Sequence, residues 1–280
     1  MVNIEEITEY FNELFRLWSQ KVLVEKQNLL NIFSSRVLGQ PDQPGLISPA
    51  SIMRLMRSVV LLSSGLDSTV AFKEAYDRSD EVLCVTFDYG QRARKREIEF
   101  AKAICKKFNV RHIIIELPWY ASFRGALTCG GEIPKLKSSE LDNMEVTEKT
   151  AEQVWVPARN VVFLSIGAAL AENHRFDMII TGFDAEEAAT FPDNTPEFVE
   201  SFNRMLTTGT LTHPEVYTPL ISMSKTDIVR RGIEIGAPIE WSWSCYEGGE
   251  RPCGECESCL RRARAFDAVG VKDPLMERLK

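Results

Sequence analysis

From Ser58 onward the apolar positions fall into short unbroken runs separated by longer stretches with helical spacing. Ser58-Val59-Val60-Leu61-Leu62 predicts a buried first strand, followed after a turn by a helix from about Ser68 to Asp77. Val82-Leu83-Cys84-Val85-Thr86-Phe87 predicts a second strand, then a helix through Ile98, Ala101, Ile104 and Cys105. Val110 to Leu117 reads as a third strand, Arg159 to Glu172 as a helix, and Met178-Ile179-Ile180-Thr181 as a further strand. Strands alternating with helices predict an α/β fold whose parallel sheet carries helices on both faces. Pro118 to Thr150 shows no clean period and is long for a structureless connection, so a mobile lid or an insertion is expected there.

Ahead of this region, Ile7, Tyr10, Phe11, Leu14, Phe15 and Trp18 share one stripe of an amphipathic helix from Ile4 to about Phe33. Such a helix packs on its own domain or on a second subunit, and the glutamates on its polar side disfavour a membrane surface. Gly39 to Gly45 and Pro49 break the pattern and read as a linker. The chain has 280 residues, 44% of them hydrophobic and 26% charged, which suits a globular core and excludes disorder and collagen-like order. Thirty-three basic against forty acidic side chains give a net charge of −7, which disfavours a nucleic-acid partner. No run approaches the roughly 18 apolar residues of a membrane helix. The acidic start, Met1-Val2-Asn3-Ile4-Glu5-Glu6, is unlike a secretory signal, so a cytoplasmic location is expected.

Leu62-Ser63-Ser64-Gly65-Leu66-Asp67-Ser68-Thr69 falls where the first strand becomes the first helix. Ligands of open parallel sheets collect outside the carboxyl ends of the strands, and small residues let successive N–H groups form an anion nest there. The loop has neither the Gly-Lys-Ser/Thr ending of a Walker A loop nor the spacing of a dinucleotide fingerprint. Asp67 beside a phosphate calls for a bridging cation, for which Mg²⁺ is suited. The plainer reading is a strand-to-helix turn with an acid near the helix start, where acids are favoured in any case. The loop looks like the pyrophosphatase loop, Ser-Gly-Gly-x-Asp-Ser, of enzymes that adenylate a substrate, with Ser64 at a family glycine.

Four of the seven cysteines crowd into one segment: Cys245, Cys253, Cys256 and Cys259. Four thiolates closing around Zn²⁺ leave no open position, which indicates a structural metal. An iron–sulfur cluster competes, but the usual cysteine followed by proline is missing. Cys84, Cys105 and Cys129 read as core fillers.

Together the loop and the cysteines resemble the 7-cyano-7-deazaguanine synthase family of the queuosine and archaeosine pathways. The resemblance runs from about Ser58 to Val269. Its blocks are the loop itself; Phe87-Asp88-Tyr89-Gly90-Gln91-Arg92; Val156-Pro157-Ala158-Arg159-Asn160; Phe191-Pro192-Asp193 with Thr195-Pro196-Glu197-Phe198; and the cysteine segment, with Lys225 also matching. The chain departs from the family at Ser64, at Ala158 in the Pro-Gly-Arg-Asn block, and at Asn194 in the Tyr-Pro-Asp-Cys block, and its first 55 or so residues have no family counterpart.

The resemblance implies a Rossmann-like sheet of the adenine nucleotide alpha hydrolase type. It implies three regions: residues 1–50 as helical extension and linker, 51–220 as a pyrophosphatase-loop ATP-binding domain, and 221–280 as a helical, zinc-binding region. The implied enzyme is an ATP-dependent C–N ligase that adenylates 7-carboxy-7-deazaguanine, forms an amide with ammonia, and activates that amide with a second ATP to leave a nitrile. A homodimer is common in the family, and the N-terminal helix offers a surface for a protein partner. One alternative couples the deazaguanine carboxylate to a macromolecular amine; another is a non-catalytic nucleotide-binding scaffold.

Residue roles follow from that chemistry. Negative charge spreads over phosphoryl oxygens in both steps, so donors and cations must converge. The Ser63–Ser68 nest is expected to hold pyrophosphate, Asp67 the Mg²⁺, and Lys225 the α-phosphate; Lys225 reads equally as an exposed lysine at a helix start. Arg159 and Asn160 are expected to grip phosphate or the ring, with a structural ion pair as the alternative for Arg159. Phe87, Tyr89, Gln91 and Arg92 sit where aromatic faces stack a base and Gln91 reads its amide edge. Asp184 and Asp193 are expected to recognise deazaguanine N–H groups. The runs Arg92 to Arg96 and Arg261 to Arg264 are expected to be solvated or to face the substrate rather than a nucleic acid. His112, His174 and His213 have no ligand spacing.

Overall fold

The structure, a computed structural model, describes residues 56–128 and 130–280. The expected N-terminal helix, the linker after it and Cys129 lie outside the described residues. Strands β1 (Arg57–Leu61), β2 (Glu81–Asp88), β3 (Arg111–Glu116), β4 (Met178–Ile180) and β5 (Glu215–Tyr217) form one parallel sheet in the order β3-β2-β1-β4-β5. The helices are α1 (Leu66–Arg78), α2 (Arg94–Phe108), α3 (Met144–Val154), α4 (Arg159–His174), α5 (Ala185–Ala188), α6 (Pro196–Gly209), α7 (Lys225–Glu234), α8 (Glu257–Val269) and α9 (Pro274–Arg278).

Successive strand residues point to opposite faces, and here both faces are covered. Val59, Leu83 and Val85 belong to one core with Leu164 and Ala168 of α4. Val60 and Cys84 belong to the other with Val70 and Phe72 of α1, Ala101 and Ile104 of α2, and Ile228 and Val229 of α7. That double burial is why the strands read as unbroken apolar runs. Cys84 and Cys105 are buried core fillers, as expected.

The chain lays β2 and β3 to one side of β1 and then returns to add β4 and β5 on the other. Loops leaving β1 and β4 therefore part at the carboxyl end of the sheet and open a crevice between them. β5 is only three residues long, with Val216 as its single buried side chain, so no pattern announced it. Residues 118–150 form a packed insertion rather than a loose lid: Tyr120, Ala126, Leu127 and Leu141 are all buried, and Arg92 N donates to Leu127 O. Among the described residues no single helix is long and apolar enough to cross a membrane.

Two residues that stand where the resembled family has glycine take left-handed backbone. Ser64 has φ 60° and Ala158, preceding α4, has φ 54°. A non-glycine residue there costs about 1–2 kcal/mol. Ala158 makes no side-chain hydrogen bond to repay it. Ala158→Gly is therefore expected to raise stability in chemical denaturation by about 0.5–1 kcal/mol; a loss of stability would show that the strain is absent.

Candidate active site

The loop between β1 and α1 is built from its own hydroxyls. Ser63 Oγ and Ser68 Oγ lie 3.0 Å apart, Gly65 N donates to Ser63 Oγ, and Ser68 Oγ donates to Gly65 O. Gly182, just after β4, lies against the start of α1: a Cβ there would meet Ser68 N at 2.6 Å and the Asp67 carbonyl carbon at 2.8 Å. Only glycine lets these two loops approach so closely.

Lys225, the first residue of α7, turns its side chain into a carboxylate cluster. Its Nζ stands 2.8 Å from Asp67 Oδ2, 2.8 Å from Asp184 Oδ2 and 3.3 Å from Glu187 Oε1. A capping box of Ser224 and Asp227 fixes the helix start, and Lys225 N donates to Glu186 Oε1. Asp184 caps α5, its Oδ1 accepting from Glu186 N and Glu187 N. Burial pushes Asp184 up to about 7 against the pull of Lys225, and burial likewise raises Asp67. Burial raises Glu187 too, but Lys225, Arg159 and Arg261 outweigh it and hold it below the usual range. One ammonium faces three carboxylates, and Asp67 Oδ1 is buried without a hydrogen-bond partner among the described residues. Asp67, Asp184 and Glu187 each place one carboxylate oxygen within 4.8 Å of the others, a donor set fit for a hard divalent cation.

A cavity of about 230 Å³ opens beside this cluster at the crevice. Phe87 stacks on Phe163 at 4.0 Å, and Tyr89 tilts against Phe163 at 5.6 Å. Arg159 donates to Tyr89 Oη at 3.3 Å. Asn160 Nδ2 donates to Asp193 O, and Asn194 Nδ2 donates to Asp193 Oδ1. Phe87, Tyr89, Arg159, Asn160 and Asp193 thus share one wall with Leu62, Ser63, Gly65, Asp67 and Ser68.

Four expected ligand residues turn their side chains to the frame. Ser64 is fully buried and its Oγ donates to Glu97 O, Leu66 and Thr69 pack inward, and Arg92 is tied to Ala126 O and Gly131 O, clear of the cavity. Asp184 is bound to Lys225 and to the α5 start, which leaves it no part in recognising a purine edge. Gln91 lines the cavity with both Nε2 hydrogens committed, to Phe87 O and to Glu97 Oε2, while Oε1 accepts from Tyr89 N. These bonds hold the loop. Lys225 is buried, so it is not an exposed helix-start lysine. In the basic runs, Arg94 and Lys95 are exposed, whereas Arg261, Arg262 and Arg264 pair with Glu186, Glu257, Asp273 and Asp142. None of those three arginines lines the cavity.

Sequence reasoning missed Glu97 and Glu187, and the aromatic residues Trp155, Phe191 and Trp243, all of which line the cavity. A signal existed for Glu97, a carboxylate within the first turn of the helix that follows the Gln91 block. No comparable signal marks Trp243.

The four cysteines converge as their spacing predicted. Their sulfurs lie within 4.8 Å of one another, with three of the residues buried. Gly254, at φ 78°, makes the knuckle, while Cys256 caps α8 and Cys259 sits in its first turn. Backbone N–H groups of Glu247 and Cys253 point at Cys245 Sγ, and that of Cys256 at Cys253 Sγ, as suits thiolates around a metal. This knuckle adjoins the cavity: Trp243 N donates to Ser64 O, and Cys245 and Tyr246 line the wall.

The family model for queuosine biosynthesis protein QueC matches residues 57–270. The chain is 45% identical over 229 residues to the 7-cyano-7-deazaguanine synthase of Methanosarcina barkeri, covering 80% of this chain and 99% of that one. It is 48% identical over 223 residues to the synthase of Methanobrevibacter smithii, covering 79% and 98%. Among solved structures it is similar to the U34-tRNA thiolase NcsA from Methanococcus maripaludis, at 14% identity and a TM-score of 0.44, covering 80% of this chain and 68% of that one.

Glu97 gives this site a distinctive pH signature. Burial pushes its carboxyl up to about 7, against the hydrogen bond from Gln91 and the charge of Arg159, with Asp88 adding to the rise. The folded protein therefore binds this proton more tightly than the unfolded chain, where an ordinary glutamate titrates near 4.3. The resulting stability is complete below about pH 4 and is lost as pH rises through 7. In urea titrations Glu97→Gln is expected to gain about 1–2 kcal/mol on wild type between pH 5 and pH 8, after allowing for the carboxylate's opening to the cavity. A constant difference across that range would contradict the burial described.

Proposed function

The chain belongs to the QueC family, and from that premise we propose how its cavity makes a nitrile. It is an ATP-dependent ligase of deazapurine biosynthesis. The reaction joins 7-carboxy-7-deazaguanine, ammonia and two ATP to give 7-cyano-7-deazaguanine. A carboxylate is a poor electrophile because its oxygens leave badly; adenylation replaces one with a phosphate ester that leaves well. Ammonia then forms the amide, and adenylation of the amide oxygen prepares the loss of AMP.

The β1–α1 loop holds the diphosphate of ATP through its N–H groups and the Ser63 and Ser68 hydroxyls. Asp67, with Glu187 beside it, holds Mg²⁺, whose chemistry is to neutralise phosphate oxygens. Lys225 supplies fixed positive charge beside the transferring α-phosphate. Phe87, Tyr89 and Phe163 offer aromatic faces to the deazaguanine ring, with Arg159 and Asn160 at its edge and Asp193 as acceptor for its N–H groups. The four cysteines hold structural Zn²⁺, keeping Trp243 and Cys245 against the phosphate loop. What carries this reading is the pairing of Lys225 with Asp67 at the loop, where charge forms in both adenylation steps.

The direct test supplies purified protein with ATP, 7-carboxy-7-deazaguanine and ammonia. Mass spectrometry is expected to find the nitrile, and Asp67→Asn to lower its rate by about 100-fold or more. Release of AMP without nitrile would redirect the adenylate to another amine and sink the proposal. Elemental analysis is expected to find about one zinc per chain, and Cys256→Ser to lose it together with several kcal/mol of stability. Iron, or visible absorption from a cluster, would overturn the zinc assignment.

A further inference from the structure

We propose that Glu97 is the proton acceptor of the nitrile-forming chemistry, an inference that rests on the reaction assigned above. The need comes from the reaction's own balance. When ammonia attacks the adenylate, the nitrogen lone pair forms the C–N bond, the C–O pair leaves with AMP, and the nitrogen must shed one proton. When the amide oxygen attacks the α-phosphorus of the second ATP, pyrophosphate departs and the nitrogen sheds a proton to become an imidate. When the C–O bond of that imidate breaks, the remaining N–H pair becomes the third C–N bond, the C–O pair leaves with AMP, and the last proton departs. Three N–H protons therefore leave one nitrogen inside the cavity, and none leaves during the first adenylation.

The structure offers few takers. Lys225 is held as an ammonium by Asp67, Glu187 and Asp184 and has no lone pair to offer. Asp67, Asp184 and Glu187 are bound to that ammonium. Asp193 takes Asn194 Nδ2, lies under the charge of Arg159, and is assigned above to the N–H groups of the ring. None of the three histidines lines the cavity. Glu97 does line it, and among the described residues its carboxylate takes one hydrogen bond, from Gln91 Nε2 to Oε2 at 2.7 Å. The position is built rather than incidental. Gln91 is clamped by Tyr89 N and Phe87 O, and the Glu97 main-chain carbonyl accepts from Ser64 Oγ at 3.0 Å, which ties the first turn of α2 to the phosphate loop.

The charged and titratable groups acting on Glu97 are Asp88 at the end of β2, Tyr89 in the loop after it, and Arg159 at the head of α4. Their balance with burial leaves the carboxyl near 7, so it both accepts a proton and returns it to water at neutral pH.

The experiment uses the full chain and two half-reactions. The first is ATP–pyrophosphate exchange driven by 7-carboxy-7-deazaguanine, which breaks no N–H bond. The second is conversion of the 7-deazaguanine-7-carboxamide to the nitrile with ATP alone, which removes ammonia's own titration from the profile. Glu97→Gln is expected to keep exchange within about threefold and to lower nitrile formation by about 100-fold or more, the usual worth of a general base. The wild-type rate of the second reaction is expected to rise with pH through about 7, and the variant to lose that limb. Glu97→Asp, which keeps a titratable group, retains a limb at a shifted pH. Nitrile formation by Glu97→Gln within threefold of wild type, or an equal loss of both half-reactions, overturns the role. A wild type that makes no nitrile from the amide removes the assigned reaction and its base together.

Discussion

One ammonium shared among three carboxylates organises the site. Lys225 meets Asp67 from the first turn of α1 and Asp184 and Glu187 from the segment after β4, so the chain following β1 and the chain following β4 are joined through one side chain. A buried charge without a partner costs several kcal/mol, so each member depends on the rest. Burial pushes Asp184 up to about 7 and raises Asp67, so crowding the three acids around one ammonium is costly. A divalent ion arriving with a nucleotide would relieve that cost and satisfy Asp67 Oδ1, which has no hydrogen-bond partner among the described residues.

The departures from the resembled family fall on this frame. Ser64 keeps the left-handed conformation suited to glycine and spends its hydroxyl on Glu97 O. Ala158 keeps such a conformation at the entrance to α4 with no compensating bond. Asn194 donates to Asp193 and steadies a carboxylate on the cavity wall. Two of the three residues thus spend their side chains on hydrogen bonds at the cavity's edge.

What the sequence disclosed followed from periodicity and chemistry. β1 and β2, buried on both faces, were legible as apolar runs, and the cysteine knuckle was legible because thiols crowd together for few other reasons. The loop was legible from its small residues and Asp67. Long-range pairings were not. Nothing in the local sequence says that Gln91 spends its amide on Phe87, Tyr89 and Glu97, or that Arg92 turns away to Ala126 and Gly131. Asp184 looked like a ligand residue because an acid after a strand often is; its capping of α5 and its ion pair with Lys225 appear only when the chain closes. Arg261 and Arg262 read as a basic patch although Glu257 stands four residues before Arg261 on α8; their other partners, Glu186 and Asp273, lie off that helix.

The central claim is that Asp67 and its neighbours hold a divalent cation together with the tail of ATP. Electron paramagnetic resonance of Mn²⁺ titrated into the protein with a non-hydrolysable ATP analogue tests it most directly. The account predicts one tightly bound Mn²⁺ per chain that appears with the nucleotide and is lost in Asp67→Asn. Equal Mn²⁺ binding by both proteins, or binding indifferent to the nucleotide, would contradict it.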